Sequence, residues 1–396
     1  MRIAVTNDAN IPSLYAHSFS LLKMAQGFAA LGHQARVVTA NSLRAAWGRW
    51  RFRDLAAHYG LSRAMDITWL PPSPRAYLNG RTQDDPVYAQ RAAELAAKQG
   101  MDLVYARSFL TPRLTTLAGI PTVVETHTTN YDNPHLAAIH QVAGLTAFRG
   151  LITIHADIAA EHVRRGVPAG KVLVLEDGVD LERFQIEDDP GHWKRALGLD
   201  PARAYAVYSG HLYADKGIEV ILEAAGLLKE RPNLAFLLVG GNPEDRRRWR
   251  AECRRRGLAN VSFTGFVPNA QVPGYLKAAA CLLLPYKPDQ RHTVMDLHTT
   301  SPLKLFEYLA AGRPIVATGV PTVAKVLADG RDAWLAAPGD VQGFAAAVAR
   351  AIDQPGAAAE LARRARQEAM AHSWTERCRR VLELAGRGAT RQDWRG

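Results

Sequence analysis

Two charged side chains stand three residues apart inside an otherwise apolar stretch, "SPLKLFEYLAAGRPIVAT", Ser301 to Thr318. On a helix, Lys304 and Glu307 would share one side. Ser301 suits the capping position and Pro302 the first helical position, where a missing N–H costs nothing. The amides of Leu303 and Lys304 then have no intrahelical partner, and a helix start beside a lysine is a natural anion site. Gly312 fits the residue that ends the helix, and Pro314 follows shortly. The chemistry this arrangement suits is a nucleoside diphosphate: the helix start and lysine hold phosphate oxygens, and the carboxylate accepts paired hydrogen bonds from a ribose diol. An i,i+3 ion pair on an exposed face would explain the same two residues without a ligand. Against that, the other positions, "LxLFxYLAA", predict a helix that is largely covered.

A second stretch, "SGHLYADKG", points the same way. A strand ending at Ser209 and Gly210 would let the backbone come close to a ligand at the glycine. Lys216 precedes a helix and would offset diphosphate charge as a compact point charge. His211 could donate to a phosphate oxygen or pack against a base. A single loop lysine is usually just solvated, so the signal lies in the combination. The chain has no GxxxxGK[ST] or GxGxxG, which argues against a nucleoside triphosphatase and a dehydrogenase.

The elements that must position these residues read as α/β. The first half opens with a strand at Ile3–Thr6, a loop, a helix through about Leu31 and a strand at Ala35–Thr39; "DLVYARS", "IPTVVETH" and "LITIH" follow. The second half restarts the pattern with "AYAVYSG", "LAFLLVGG", "NVSFTG", "CLLLP", "PIVAT" and "AWLAA". Short apolar runs separated by helical stretches are how parallel sheets buried on both faces read. Two doubly wound sheets in series are expected, with the polar, Pro- and Gly-punctuated Phe184–Arg203 as the link, in which Asp188 and Asp189 read as solvated charges. Ligands of such sheets bind beyond the carboxyl ends of the strands, and with two sheets the cleft between them is the expected site. That rule singles out Asn7–Tyr15, Arg107–Ser108, His127–Asn130, Gly210–Lys216, Gly240–Asn242 and Ser301–Glu307.

Composition bounds the function class. The 396 residues, 47% hydrophobic and 22% charged, describe a globular chain of two domains. No apolar run is long enough for a bilayer, and "MRIAVTND" reads as a strand, so no leader is expected. Cys253, Cys281 and Cys378 show no metal spacing and suit a reducing cytosol. A net charge of +11 favours anionic partners. The densest basic cluster, Arg246–Arg256, puts Trp249 and Cys253 on one helical face and reads as a solvated helix with an anchor. No nucleic-acid motif accompanies it, so no nucleic-acid partner is expected. "AAWGRWRFRDL", Ala45–Leu55, reads equally as an interfacial helix or as a helix capping the first domain.

Together "YSGHLYADKG", "VGGNPED", "NVSFTGFVPNAQVPGYL" and "SPLKLFEYLAAGRPIVAT" resemble the nucleotide-sugar domain of glycosyltransferase family 4, the retaining group 1 glycosyltransferases of GT-B fold. "FAALGHQARVVT", "DLVYARS", "IPTVVETH" and "LEDGVDLERF" extend the resemblance over nearly the whole chain. It implies two Rossmann-like doubly wound domains facing across a cleft: residues 1–185 on the acceptor side and 186–372 on the donor side. The terminal helix, about 373–396, is expected to pack back on the first.

The implied activity is transfer of a sugar from a nucleoside-diphosphate sugar to a glycan or lipid-linked acceptor, with retention, without metal and without a cofactor. The resemblance implies a cytoplasmic enzyme and leaves room for peripheral contact with anionic membrane. Glu307 matches the second Glu of the family's E-x7-E motif, which binds the donor ribose. Lys216 matches the phosphate lysine, and His127 the histidine that contacts the transferred sugar. Gly210, His211, Gly240, Ser301, Pro302, Leu303 and Lys304 complete the implied donor site. Asn10, Ser13, Tyr15 and Arg107 are the acceptor-side candidates. Three departures stand out: His211 where the family usually has Arg, Thr299 in place of the first Glu (with Asp296 nearby), and "NDANIPSLYAHS" in place of a glycine-rich loop. A sugar-nucleotide epimerase of the same architecture and a non-catalytic nucleotide-binding relative are the alternative readings.

Overall fold

A computed structural model of the chain describes residues 1–13, 15–128, 130–286 and 303–387. The chain divides into two compact units, Met1–Asp177 with Trp374–Gly396, and Gly178–Ser373.

The first unit is built on a seven-stranded sheet: β1 (Arg2–Asn10), β2 (Gln34–Ala40), β3 (Asp66–Leu70), β4 (Leu103–Ala106), β5 (Thr122–Glu125), β6 (Phe148–Thr153) and β7 (Val172–Val174). The strands run in the order β3-β2-β1-β4-β5-β6-β7, every pairing parallel. β4, β5 and β6 are buried along their whole length, as sequences such as "LVYA" and "TVVE" require when helices cover both faces. The terminal helix Trp374–Gly386 closes one face against the helix Ala16–Ala30. A Cβ on Gly27 would stand 2.7 Å from Cys378 Sγ, so the two helices touch at van der Waals range only because Gly27 has no side chain.

The second unit carries six strands, β8 (Ala204–Ser209), β9 (Leu234–Val239), β10 (Val261–Gly265), β11 (Cys281–Leu284), β12 (Ile315–Thr318) and β13 (Trp334–Ala336). Their order is β10-β9-β8-β11-β12-β13, again all parallel. Both sheets reverse direction of winding beside their first strand, β1 next to β4 and β8 next to β11. A crevice for ligand opens at such a switch point beyond the carboxyl ends of the strands. The three cysteines are buried thiols, and among the described residues no helix is long and apolar enough to cross a membrane.

Two expectations about the link need correction. The division falls at Asp177/Gly178, because Val179 bridges to Ser373 and Phe184 is buried in the second unit's core. Within the supposed linker, Asp188 and Asp189 are structural rather than merely solvated. Asp188 pairs with Lys277 at 2.6 Å and lies 3.2 Å from Arg313, while Asp189 caps the helix Pro190–Ala196 by accepting from Gly191 and His192.

Candidate functional site

In the second unit β8 delivers Gly210 at the switch point. Its backbone lies in the left-handed region, φ +133°, and a Cβ there would stand 3.3 Å from Lys304 Nζ. The neighbouring Gly240, at the end of β9, is tighter: a Cβ would stand 2.4 Å from the Gly210 carbonyl oxygen, at φ +111°. Gly240→Ala is therefore expected to force the two loops apart and cost about 1–3 kcal/mol. A melting curve should show the loss together with weakened nucleotide binding; an unchanged melt would contradict this packing.

After Gly210 the chain passes through His211, whose ring stacks on Tyr213 at 4.8 Å, to the short turn Ala214–Lys216. Trp249 anchors this loop by donating from Nε1 to the Leu212 carbonyl at 2.7 Å. That is the role of the buried Trp249–Cys253 face, while the arginines around it stay near solvent. Burial, followed by the charges of Lys304 and Lys216, lowers the His211 pKa, so the ring is neutral at pH 7 with one N–H to give. Lys216 pairs with Asp215 at 2.7 Å.

The helix Leu303–Ala311 lies across the end of β8. Leu305, Phe306, Tyr308, Leu309, Ala310 and Ala311 are buried, as the apolar pattern demands, and Tyr308 accepts from the Ser209 amide at 2.9 Å. Lys304 reaches back over β8: Nζ donates to the Tyr208 hydroxyl at 2.7 Å and sits 4.1 Å from the ring centroid. Burial, with the charge of Lys216, pulls its pKa down to about 7, against the opposing pull of Asp215 and Glu307. Glu307 does not pair with Lys304; its partner is Arg183, whose Nη1 donates to Oε1 at 3.3 Å while Nη2 donates to the Asn269 carbonyl. Both side chains are largely covered, 11% and 15% exposed. Ser301 and Pro302, like Thr299 and Asp296, lie outside the described residues.

The first unit has its own polar cluster at the same place in its fold. Arg107 follows β4, and Glu125 and His127 end β5. Arg107 Nη2 donates to His127 Nδ1 at 2.8 Å, and His127 Nε2 donates to Glu125 Oε1 at 2.7 Å. Arg377, from the terminal helix, donates to Glu125 Oε2 at 2.9 Å and to the Glu176 carbonyl at 2.8 Å. Burial alone would push the Glu125 carboxyl up, but Arg377 and the His127 hydrogen bond outweigh it and hold it at about 2. Burial and Arg107 lower the His127 pKa, leaving a neutral ring with its proton on Nε2. Among the described residues Glu125, His127 and Asp177 bring possible metal-ligand atoms within 4.8 Å of one another. Arg107 and Arg377 already hold two of these three, His127 and Glu125, so an added cation would meet two guanidinium charges.

The acceptor-side candidates separate. Asn10 and Ser13 spend their side chains inside the unit: Asn10 donates to the Gly80 carbonyl at 2.8 Å and accepts from Ser42, and Ser13 bonds Ser18 at 2.7 Å. Tyr15 is 65% exposed. The structure thus brings Gly210, His211, Lys216, Gly240, Lys304 and Glu307 to one end of the second sheet, with Leu303 at the head of their helix. It gathers His127 and Arg107 at the first. Sequence reasoning missed Arg183, Tyr208, Glu125 and Arg377. Arg183 stood in plain view in "LEDGVDLERF", but a partner 124 residues away leaves no local trace.

This architecture, two Rossmann-like units each with a polar cluster at its switch point, is the GT-B fold. Solved structures share it along nearly the whole chain. Alr3699/HepE of Anabaena, crystallised in complex with UDP, matches with a TM-score of 0.72 at 16% identity, covering 98% of this chain and 100% of that one. Sucrose-phosphate synthase from Thermosynechococcus elongatus matches with a TM-score of 0.71 at 18% identity, covering 98% of both. In sequence, the profile of Glycosyltransferase Family 4 matches residues 18–183, and that of Glycosyl transferases group 1 matches residues 203–354. D-inositol 3-phosphate glycosyltransferase of Streptomyces avermitilis is 29% identical over 302 residues, 69% of this chain and 62% of its own length. The chain belongs to the group 1 glycosyltransferases of family 4. It spans between about half and two thirds of the curated relatives it matches first, at 62%, 51% and 65% of their lengths.

Proposed function

We propose that the chain is a retaining glycosyltransferase that moves a sugar from a nucleoside-diphosphate sugar to a glycan or lipid-linked acceptor without a metal ion. The observation that carries this reading is the pairing, on one covered helix, of a lysine beside the Gly210 loop with a carboxylate fixed by Arg183. Glu307 takes the ribose diol; Lys304, Lys216 and His211 take the diphosphate. As the bond between the anomeric carbon and the phosphate oxygen breaks, these groups offset the charge left on the diphosphate. The acceptor hydroxyl attacks from the same face and gives its proton to the departing phosphate oxygen, so the configuration is retained. His127 contacts the transferred sugar; because both its ring nitrogens are engaged, Arg107 exchanges for a sugar hydroxyl while Glu125, clamped by Arg377, stays. Alr3699/HepE has also been solved with UDP-glucose, which makes uridine-based donors the first to test. A cytoplasmic place with peripheral membrane contact belongs to the same proposal.

Donor binding should carry a pH signature. Unliganded Lys304 titrates near pH 7, and a diphosphate beside it favours the ammonium, so the bound lysine titrates higher. Below pH 7 the lysine holds its proton in both states and adds no pH dependence of its own. Above it, binding takes up a proton and affinity falls by up to about tenfold per pH unit. Calorimetry in buffers of different ionisation enthalpy should show this uptake for nucleoside diphosphates, and Lys304→Met should abolish it. An affinity independent of pH between 7 and 9 would remove Lys304 from the diphosphate site.

The activity itself is tested by incubating the chain with nucleoside-diphosphate sugars and candidate acceptors in a chelator, reading released diphosphate and the anomeric coupling of the product by NMR. Retention in the presence of chelator supports the proposal. An inverted product, or donor interconversion with no acceptor present, defeats it.

A further inference from the structure

A cavity of about 840 Å³ opens in the first unit beside the end of β1, lined by Tyr15, His17, Arg44, Trp47, Arg51 and Arg81 among others. Arg44, Trp47 and Arg51 come from one helix, Leu43–Arg51, at spacings of three and four that put them on one face. Arg81 enters from the loop after the helix Pro74–Asn79. None of the three guanidiniums has an ion-pair partner among the described residues. Arg51 instead lies over the rings of Trp47 and Phe52, at 5.2 Å from each centroid.

The cavity is built rather than incidental. Gly80, at φ +69°, has the Arg44 side chain laid across it, with Cδ 2.3 Å from where a Cβ would stand, so any larger residue would displace that arginine. The Gly80 carbonyl accepts from Asn10, which in turn accepts from Ser42, the cap of the arginine-bearing helix. Asp84 is the one acid in the lining, and burial raises its pKa. A concave wall with three cations against one carboxyl concentrates anions. His17, also in the lining, stands in the field of Arg107, whose guanidinium holds His127.

We propose that this cavity receives the acceptor and selects one that carries an anionic group, phosphate or carboxylate. Arg44, Arg51 and Arg81 bind that group as guanidinium forks, Trp47 carries the ring, and the reacting hydroxyl is directed toward the His17–Arg107 side. The inference rests on the transferase reading and names its acceptor class.

The test is calorimetric titration of the full chain, at low salt, with glucose, glucose 6-phosphate and glucuronate, alongside phosphatidylglycerol vesicles. At least one anionic sugar should bind at least about tenfold tighter than glucose, and Arg44→Gln with Arg81→Gln should remove that preference. Arg81→Lys, which keeps the charge, should retain most of it, and a melting curve on each variant guards against misfolding. Equal affinity for all three sugars, an unchanged preference in the double variant, or binding to vesicles with none to the soluble anions overturns the proposal. Uridine, guanosine and adenosine diphosphates titrated into the same proteins report separately on the donor site: the one that binds wild type should bind the variants alike, and failure of all three would count against the transferase reading instead.

Discussion

Replacing Glu307 by alanine is expected to weaken nucleoside-diphosphate binding by about a hundredfold or more. A carboxylate that accepts two hydrogen bonds from a ribose diol contributes about 1.5–3 kcal/mol through each, and a tenfold change corresponds to about 1.4 kcal/mol. The Arg183 ion pair makes the loss larger than contact counting suggests, because in the free protein it holds the carboxylate in place and little ordering remains for binding. The specific signature is discrimination by the ligand. Wild type should prefer the nucleoside diphosphate it binds to the 2′-deoxy analogue, and Glu307→Ala should bind both equally weakly if this carboxylate reads the diol. Because removal of Glu307 takes the ion-pair partner from a largely covered Arg183, melting curves should accompany the titration. A variant that melts normally and still prefers the ribonucleotide would contradict the ribose role.

The largest effect on stability should come from Arg377→Met. Arg377 and Glu125 are each 3% exposed and pair at 2.9 Å. Removing one partner of a buried pair leaves an uncompensated charge and costs about 3–5 kcal/mol. The pair also sets an acid profile. The Glu125 carboxyl titrates at about 2 in the folded chain, below its ordinary value of 4.5. Its contribution is therefore complete above pH 4.5 and disappears as pH falls from there toward 2. Calorimetric melts from pH 7 to pH 3 should show wild type losing stability across that window and Arg377→Met starting lower and losing less. Equal melting temperatures for the two proteins at pH 7 would contradict the account of this cluster. Because Glu125 is hydrogen bonded to His127, the same variant should also disturb the His127 imidazole.

Much of this was legible in the sequence, and the exceptions have physical causes. Every strand of the second sheet was visible as an apolar run: the four inner strands are covered on both faces, and the edge strands β10 and β13 still carry Phe263 and Trp334 into the core. In the first sheet, β3 and β7 went unread; both are edge strands whose residues are mostly half-buried, so the apolar signal that burial imposes is weak. The Lys304–Glu307 helix announced its own burial through "LxLFxYLAA". Its partners did not, since Tyr208 and Arg183 meet it only through the fold. Asp188 looked like solvated linker charge because nothing local reveals that Lys277 and Arg313 converge on it. Asn10 and Ser13 were rightly placed at a strand end, but their side chains brace the loop rather than stand free. On the helix Leu43–Arg51 the two indoles remain 56% and 66% exposed while Phe52 stacks on His58. One residue type in that stretch packs, and the other is presented.

The measurement that bears most directly on the central claim is a thermal-shift screen of the intact chain with uridine, guanosine and adenosine diphosphates and their sugars. A ligand that binds only the folded state raises its melting temperature in proportion to the logarithm of its concentration over its dissociation constant. A donor site made by Gly210, Lys216, Lys304 and Glu307 predicts a clear rise for one base, larger for the diphosphate than for the free nucleoside, and lost in Glu307→Ala. No rise with any of the nucleotides at millimolar concentration would contradict it.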